Sequence, residues 1–389
     1  MYVDNDEALR GLEKSIAKAS VVALDTEFIR EKTYYPQLCL IQVAARFPND
    51  EKYAIIDPLT ISDLTPIKSL FTNENIVKVL HAGDQDLAIF YQILGVLPKP
   101  LFDTQRAANL LGYTQQIGLA AMVKAYCDIK LDKTDTFSNW GQRPLTQTQI
   151  AYAYDDVRYL PRIYEAMHAA LKQKNRLSWL DDEFSRLTDP ATYEIDVRGV
   201  WRRVRRSSAL RPVQLCALRE LAAWRELTAQ KKDYPRKWVA TDELLLEIAR
   251  RMPQTLDELY MVRNARDKLG KQWAHQALAA VHLAQALPPD EWPLAEHNPS
   301  RRGPKTAQID MLNTLVHLRA SENSIAPAIL ASHDDLVALA CGQRSNLEIL
   351  KGWRKDIIGL ELIELLEGKL SLRLDGDNLK VTSGSQHGS

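Results

Sequence analysis

The segments with strand character in this chain of 389 residues are confined to its N-terminal part. They are the short apolar runs VVALDTEF, LCLIQVAA, YAIIDP and IVKVLHA, each ended by polar residues or proline. Such β-branched runs predict the strands of one sheet. Helical periodicity takes over at residues 84–94, 103–111, 116–126 and 146–172. We therefore predict one α/β domain over residues 1–195, with a sheet flanked by helices.

The second half of the chain has only helical periodicity. From residue 208 onward the apolar residues recur at helical spacing, as in Leu215, Leu218 and Leu221. The pattern is also duplicated, because LAAWR recurs as LVHLR and VATDELLLEIA recurs as LASHDDLVALA. We predict two all-α modules, at 208–287 and 305–380. A polar, proline-rich linker would separate them over 288–304, and we expect a disordered tail over 381–389.

Charge is unevenly distributed along a chain whose 50 basic and 50 acidic side chains cancel. Residues 196–237 carry a net charge of +8, whereas residues 1–195 carry −5. The basic stretch opens with a connecting segment, 196–207, in which arginines flank Trp201. Clustered arginine beside an aromatic ring suits a phosphate backbone and a stacked base. A solvated helix face or a linker could have the same composition, so composition leaves both interpretations open.

The composition excludes several classes of protein. A hydrophobic content of 46% is ample for buried cores and excludes a predominantly disordered chain. No window approaches the roughly 18 consecutive apolar residues of a membrane-spanning helix, and the start, MYVDNDEALRGLEKS, is acidic. The four cysteines lie too far apart to form a Cys-x-x-Cys metal site or a disulfide framework. We therefore expect a cytoplasmic protein with no membrane association.

Carboxylates are the chemistry-bearing residues that remain, since phosphate-loop, dinucleotide, zincin and hydrolase-elbow motifs are absent from the sequence. Asp25 and Glu27 end the run VVALDTEF two positions apart, so both side chains point to one face of a strand. Unpaired acids at the end of a buried strand are unfavourable without a proton or a cation. Oxygen-seeking Mg²⁺ or Mn²⁺ is the natural partner. The alternative is that one acid caps a turn and the other is solvated.

Two later segments carry further acids. In LHAGDQDLAIF a strand gives way to a helix, and we predict that Asp84 is the helix N-cap while Asp86 could turn back toward the strand end. In AYAYDDVRYL, Tyr152 and Asp156 lie one helical turn apart, where a phenol and a carboxylate could hold a water. Spacing does not choose between Asp156 and Asp155. A tyrosine packed on the sheet beside exposed acids is the alternative.

In this order, D-x-E, a later aspartate and Y-x-x-x-D resemble the three motifs of the DEDD exonuclease superfamily, in its tyrosine-bearing branch. The histidine-bearing branch is excluded, because Ala151 occupies its histidine position. Segments such as ALDTEFIREKTYYPQLCLIQVA and LDKTDTFSNWGQRPLTQTQIAYAYDDVRYL look like the bacterial ribonuclease D family, over nearly the whole chain. The two helical modules are similar to HRDC domains, the second being more degenerate. The resemblance implies a ribonuclease H-like fold with a mixed sheet flanked by helices.

The resemblance also implies a site. Two divalent cations, Mg²⁺ or Mn²⁺, would be held by Asp25, Glu27, Asp86 and Asp156, and Tyr152 would orient the attacking water. The family pattern thus selects Asp156 over Asp155. Substrate contacts are predicted in the family-like segments and in the basic connecting segment, at Gln42, His81, Lys133, Trp140, Arg202, Arg203, Arg205 and Arg206. A structural role is equally open for the first four.

The implied activity is that of a 3′–5′ exoribonuclease which releases 5′-mononucleotides by a two-metal-ion mechanism. The implied substrates are RNAs, especially tRNA precursors with 3′ trailers. No protein partner is implied, and we expect a monomer. Two alternatives stay open. One is a DNA 3′–5′ exonuclease, and the other is a nucleic-acid-binding protein whose nuclease site is vestigial.

Overall fold

The computed structural model describes residues 1–113, 116–131, 138–293 and 306–383. Within these ranges the chain divides into two compact units. Of the described residues, those within 1–27, 38–192 and 298–389 form the first unit, and those within 28–37 and 193–297 form the second. Among the helices in the described ranges, none is both long and apolar enough to cross a membrane.

A six-stranded mixed sheet organises the first unit. Its strands are β1 (Tyr2–Val3), β2 (Val21–Ile29), β3 (Gln37–Arg46), β4 (Glu51–Ile56), β5 (Val77–Leu80) and β6 (Leu101–Asp103). They lie in the order β1-β4-β3-β2-β5-β6. The pairs β1–β4, β2–β5 and β5–β6 are parallel, whereas β3 and β4 are antiparallel. The expected mixed sheet flanked by helices is confirmed.

Helices cover this sheet because each presents an apolar stripe, as α1 does with Leu9, Leu12 and Ile16. The helices of the N-terminal part are α1 (Asp6–Ile16), α2 (Thr65–Thr72), α3 (Asp84–Leu94), α4 (Thr104–Asn109), α5 (Leu119–Cys127), α6 (Gln147–Arg158), α7 (Leu160–Gln173) and α8 (Asp181–Leu187). Short 3₁₀ turns at Leu177–Leu180 and Pro190–Thr192 flank α8. The core between sheet and helices includes Val79 from β5, Val157 from α6 and Met167 from α7.

The C-terminal segment shares this core. Its helices are α15 (Thr306–Asn323), α16 (Pro327–Leu330), α17 (His333–Ala340), α18 (Gly352–Arg354) and α19 (Leu360–Leu366), the last preceded by a π-helical turn at Lys355–Gly359. Leu312 and Leu315 of α15 belong to the same apolar cluster as Val157. The Trp353 ring stacks on Trp179 with centroids 4.6 Å apart, and the Ala326 N–H donates to the Asn109 carbonyl at 3.0 Å. The segment therefore packs as part of the first unit.

The C-terminal segment also contains a β-hairpin, formed by β7 (Leu370–Asp375) and β8 (Asn378–Ser383). The prediction that 305–380 is all-α is wrong for this part, because LSLRLD and NLKVTS alternate apolar and polar residues, as a strand requires. The predicted disordered tail is likewise wrong for residues 381–383, which pair in β8. Residues 384–389 lie outside the described ranges.

The second unit is built mainly of helices. They are α9 (Pro212–Lys232), α10 (Arg236–Val239), α11 (Asp242–Arg251), α12 (Leu256–Tyr260), α13 (Ala265–Lys268) and α14 (Lys271–Ala286), with 3₁₀ turns at Val200–Arg203, Ser207–Ala209 and Pro289–Glu291. Leu218, Leu245 and Val281 meet in its core. The side chain of Thr241 caps α11 by accepting from the Leu244 N–H.

The basic connecting segment packs into this second core. Val200, Trp201 and Val204 are buried with the leucines of α9 and α11, and Trp201 is only 4% exposed. The expectation that Trp201 could stack on a base is therefore wrong, because its faces are covered by protein. The arginines between these apolar positions remain exposed.

Residues 28–37, which join β2 to β3, also belong to the second unit. Tyr34 is buried against Ala229 and Val239, and its hydroxyl donates to the carboxylate of Glu226. Arg236 binds the same carboxylate at 2.6 and 2.7 Å, and its guanidinium lies 4.9 Å from the Tyr34 ring centroid. Asp233 accepts from the Tyr34 backbone N–H at 3.0 Å. A fully buried carboxylate is thus satisfied by an arginine and a phenol.

Tyr34→Phe should destabilise the second unit by roughly 1.5–3 kcal/mol, because it removes one hydrogen bond to a buried, charged carboxylate. Thermal unfolding monitored by circular dichroism should show a lower midpoint for this variant. Tyr35→Phe is the control, since no hydrogen bond from the Tyr35 hydroxyl occurs within the described residues. Equal midpoints for the two variants would contradict the anchoring role of Tyr34.

Candidate active site

The site lies where two parallel strands end. β2 pairs with β5 only through the register Val21–Ala23 to Val77–Val79, so Asp25 and Glu27 extend past this pairing. Alternation along the strand places both carboxylates on one face. Beyond β5 the chain turns at Gly83 into α3, whose first turn carries Asp86. The carboxyl ends of parallel strands share one edge of the sheet, and this edge brings the acids of β2 and α3 together.

Helix α6 supplies the remaining motif residues. A capping box formed by Thr146 and Gln149 fixes its first turn. Carboxylate oxygens of Asp25, Glu27 and Asp156 all lie within 4.8 Å of one another. Asp155 instead forms an ion pair with Arg158 at 3.2 Å. The geometry thus separates two aspartates that spacing alone left equivalent.

Asp86 is held next to this three-acid group. It is buried, and the hydroxyl of Thr26, which lies between the two acids of β2, donates to its carboxylate. Asp84 is the first residue of α3 and makes no capping hydrogen bond. Both of its oxygens instead accept from Arg106 at 3.0 Å. The prediction that Asp84 is the N-cap is therefore wrong, because this arginine competes for its carboxylate.

Burial first, and neighbouring negative charge second, raise the pKa values of all four acids. Burial, together with the charges of Asp86, Asp156 and Glu27, raises the pKa of Asp25 well above its usual range. Burial and neighbouring charge raise the pKa of Glu27 to about 8 and that of Asp156 to about 7. Within the described residues, Asp156 Oδ2 is buried without a hydrogen-bond partner. A concentrated set of carboxylate oxygens, with Thr26 as a donor to Asp86 and no donor to Asp156 Oδ2 among the described residues, fits a hard divalent cation.

Tyr152 lies one turn before Asp156 on the same helix. Its pKa lies above the usual range because of burial and of the charges of Asp156, Glu27 and Asp25. The phenol therefore keeps its proton near neutral pH and can act as a hydrogen-bond donor. A cavity of about 330 Å³ adjoins it, lined by Trp140 and by uncharged polar side chains that include Asn139 and Gln149. The Trp140 and Tyr152 ring centroids are 6.0 Å apart.

The other residues predicted to contact the substrate lie in different environments. His81 uses one ring nitrogen on the Thr104 hydroxyl at 2.8 Å and the other on the Ile117 carbonyl at 3.0 Å. Both ring nitrogens are thus engaged within the fold, which favours the structural alternative, and a substrate contact by His81 stays a prediction. Gln42 is fully buried on β3, and its amide atoms find no partner within the described ranges, so it is not open to a substrate in this structure. Lys133 lies outside the described residues.

The four arginines of the connecting segment that are predicted to contact RNA are exposed but not equivalent. Arg202 stacks on Trp201 with 5.3 Å between its guanidinium carbon and the ring centroid, and it lies 3.9 Å from an Asp196 oxygen. Arg203 instead lines a cavity of the second unit. Arg206 occupies a left-handed backbone conformation with φ of 66°. Exposure at Arg205 and Arg206 is compatible with the predicted RNA contact, whereas Arg202 already has a partner.

Sequence reasoning missed the ion pair that fixes Trp140. Arg143 binds the buried Asp57 carboxylate, and it also donates to the carbonyls of Trp140 at 2.8 Å and of Cys39 at 2.9 Å. These contacts tie the loop before α6 to the ends of β3 and β4. An aspartate directly after the apolar run YAII was the available signal, since an acid at a buried strand end needs a partner.

Comparison with known proteins extends these observations. Residues 1–172 match the family model described as 3′-5′ exonuclease, and residues 214–280 match the HRDC domain model. The chain is 39% identical to ribonuclease D of Zymomonas mobilis over 98% of this chain and 97% of that protein. It is 40% identical to ribonuclease D of Sphingobium indicum over 94% of each. The crystal structure of Escherichia coli RNase D, described as an exoribonuclease involved in structured RNA processing, aligns with a TM-score of 0.81 and 33% identity, covering 94% of this chain and 98% of that one.

The fold and the acidic site define an exonuclease of the DEDD type joined to an HRDC domain. The similarity to curated relatives extends over nearly the full length of both chains. The chain therefore belongs to the ribonuclease D family. The family resemblance inferred from the motifs is confirmed.

The pKa directions predict an unusual pH dependence of stability in chelator. Unfolded Asp and Glu have pKa values near 4, whereas those of Asp156 and Glu27 in the fold are about 7 and 8. The folded protein therefore binds protons more tightly than the unfolded chain, and its free energy of unfolding should fall as pH rises from about 4 to about 8.

Asp25→Asn should weaken this fall, because it removes a carboxyl group whose own pKa in the fold is raised well above its unfolded value. The measurement is the melting temperature in chelator at about pH 6 and pH 8, where the variant should lose less than the parent. Mg²⁺ should restore stability to the parent at the higher pH. Identical pH dependence in the two proteins would contradict the raised pKa of Asp25.

Proposed function

We propose that the chain, a 3′–5′ exoribonuclease of the ribonuclease D family, removes 5′-mononucleotides from RNA by a two-metal-ion mechanism. Its cellular role would be the 3′ maturation of tRNA precursors and other small RNAs. One observation carries the proposal. The carboxylates of Asp25, Glu27 and Asp156 lie within 4.8 Å of one another at a strand end, with Tyr152 one turn away from Asp156.

Each acid has an assigned task in this proposal. Asp25, Glu27 and Asp156 would hold one Mg²⁺ or Mn²⁺, and Asp25 together with Asp86 would hold the second. When bound, the two ions supply charge neutralisation of the phosphodiester, a more acidic attacking water and stabilisation of the leaving 3′ oxygen. Thr26 holds Asp86 through its hydroxyl, so that this ligand is oriented before the substrate arrives.

Tyr152 would orient the attacking water rather than remove its proton. Its phenol has a pKa above the usual range, so the proton is retained and can be shared with the water oxygen. The neighbouring uncharged cavity would receive the 3′-terminal nucleoside, because amide and hydroxyl side chains can bind base and ribose without repelling them. Trp140 would support this cavity as part of its wall.

The helical parts would provide affinity for RNA. We propose an exonuclease domain at 1–195, the connecting segment at 196–207, an HRDC domain at 208–287, a linker at 288–304 and a second, degenerate HRDC-like region from 305. The succession α15, α16, α17 repeats the order of α9, α10, α11, with helices of 18, 4 and 8 residues against 21, 4 and 10. This correspondence supports the second region, although its hairpin departs from an all-helical module. A monomer is sufficient, since every proposed ligand comes from one chain.

The two alternatives predict different products. A DNA exonuclease would degrade deoxyribose strands as fast as RNA, and a vestigial site would leave both intact. The test is incubation of the purified chain with end-labelled tRNA precursor or matched DNA, in Mg²⁺, Mn²⁺ or chelator. We expect a ladder shortened from the 3′ end of the RNA only with metal. A DNA ladder of equal rate would favour the first alternative, and no ladder in any metal would favour the second.

Asp25→Asn should abolish hydrolysis while leaving RNA binding in chelator largely intact, because it removes charge from the ligand shared by both ions. The measurements are initial rate on labelled RNA and affinity by filter binding. Asp155→Asn is the matched control, since Asp155 pairs with Arg158. A residual rate above a few per cent in Asp25→Asn would contradict the two-metal assignment.

Tyr152→Phe should lower kcat by roughly 100-fold, because a misplaced water reacts slowly even when the ions are held. Binding of Mn²⁺, followed by titration calorimetry, should be unchanged. Tyr154→Phe tests the same chemical change on the same helix, where the hydroxyl accepts from the N-terminal amine at 2.8 Å. A similar kcat in both variants would remove the orienting role from Tyr152.

A further inference from the structure

The turn between β5 and α3, which leads to Asp86, has an unfavourable backbone conformation. Ala82 lies in the left-handed region with φ of 58°, which residues with a Cβ atom rarely adopt. Gly83 follows, and a Cβ atom there would lie 2.7 Å from the buried side chain of Leu80. Helix α3 also lacks a side-chain cap among the described residues. Contacts from outside the turn must therefore hold it in this conformation.

Asp103 supplies such a contact from the neighbouring strand. It ends β6 directly beside Leu80, the last residue of β5, and it is only 1% exposed. One of its carboxylate oxygens accepts from the Gly83 N–H at 2.8 Å. The other accepts from the Arg106 N–H at 2.9 Å and thereby caps α4. A single buried carboxylate thus joins the start of α3 to the start of α4.

A second contact joins the same two helices. The guanidinium of Arg106 donates to both carboxylate oxygens of Asp84, at 3.0 Å each, and Asp84 is the first residue of α3. Because the backbone of Arg106 is bonded to Asp103, this ion pair also depends on Asp103. The position of Asp86 follows from where α3 begins, since helical geometry fixes each residue relative to the first.

Capping of α4 alone does not require an aspartate at position 103. Asparagine and serine cap helices about as well as aspartate does, and neither would add negative charge near Asp86. An aspartate differs in having two acceptor oxygens, whereas asparagine has one. Both oxygens of Asp103 are used by backbone N–H groups. The hydrogen bond to Gly83 is therefore the feature that capping of α4 does not explain.

We propose that Asp103 is a positioning residue for the metal site, which holds the left-handed turn at Ala82 and Gly83 and so places the carboxylate of Asp86. The proposal rests on the proposed role of Asp86 as a ligand of the second cation. Asp103 is assigned no ligand role, because both of its oxygens accept backbone N–H groups. Loss of a group that orients metal ligands commonly weakens metal binding by about tenfold to a hundredfold.

Asp103→Asn should lower the affinity of the full chain for Mn²⁺ by about tenfold. The variant keeps the shape of the side chain, but its single acceptor oxygen leaves one of the two N–H groups without a partner. Titration calorimetry in the absence of RNA measures this affinity, so the readout does not depend on hydrolysis. Asp63→Asn is the matched control, because Asp63 accepts from the Thr65 N–H at 2.9 Å where α2 begins, and α2 carries no proposed ligand. The control should bind Mn²⁺ as the parent does.

Substitutions at Ala82 distinguish an effect on the turn from an effect on the cap of α4. Glycine adopts the left-handed conformation without penalty, so Ala82→Gly combined with Asp103→Asn should recover part of the lost affinity. Ala82→Val should weaken Mn²⁺ binding while leaving the buried acid intact, because a β-branched residue is strongly disfavoured at φ of 58°. Thermal unfolding checks that each variant is folded, and Ala82→Val carries the test if Asp103→Asn does not fold.

Three results would overturn the proposal. The first is an Mn²⁺ affinity of Asp103→Asn equal to that of Asp63→Asn. The second is a double variant that binds no better than Asp103→Asn, since the loss would then arise at α4. The third is an Ala82→Val chain that binds Mn²⁺ as the parent does. A failure of the proposed function would look different, because the unmodified chain itself would neither bind Mn²⁺ nor shorten RNA.

Discussion

Repulsion among clustered, partly buried carboxylates is the interaction on which this structure depends. Asp25, Glu27 and Asp156 point their oxygens at a common volume, and Asp86 adds a fourth charge beside them. Nothing in the folding of a sheet favours such an arrangement, since water or an arginine would stabilise each acid better. The surrounding core of apolar side chains must therefore hold the acids together against their repulsion. A divalent cation converts the same repulsion into affinity, because it is attracted by every charge that the fold has concentrated.

The sequence predicted the parts of the site that follow from local geometry. Alternation along β2 places Asp25 and Glu27 on one face, and one helical turn separates Tyr152 from Asp156, so these relations can be read from spacing. The choice between Asp155 and Asp156 could not be read in this way. It depends on the rotation of α6, which the burial of Ala153 and Val157 sets. The hydrogen bonds of His81 could not be predicted either, because its two partners, Thr104 and Ile117, are distant in sequence.

Apolar periodicity predicts that a helix buries a face, but not what that face contacts. For α15 the contacts turn out to include the core that also holds Val157 and Met167. Trp201 was placed on the surface for the same reason, because its arginine neighbours indicate exposure but not what the ring contacts. The signal for burial was the spacing of Val200 and Val204, which is that of one buried helical turn. A fragment ending at residue 207 would look complete from the sequence. Such a fragment would lack α15, so the apolar surface of the first unit that packs with Leu312 would be exposed to water. It would also lose the stacking of Trp353 on Trp179.

The separation of charge along the chain follows from the chemistry of the two tasks. A site that concentrates carboxylates repels a polyanion, and residues 1–195 carry a net charge of −5. Bound cations neutralise the site locally, yet they cannot supply the many phosphate contacts that hold a long RNA. Those contacts require cations placed away from the acids, since an arginine within the cluster would bind the carboxylates in place of the metal, just as Arg106 binds the nearby Asp84, which is not a proposed ligand. In the function proposed above, the excess of +8 in residues 196–237 would meet both requirements in one chain.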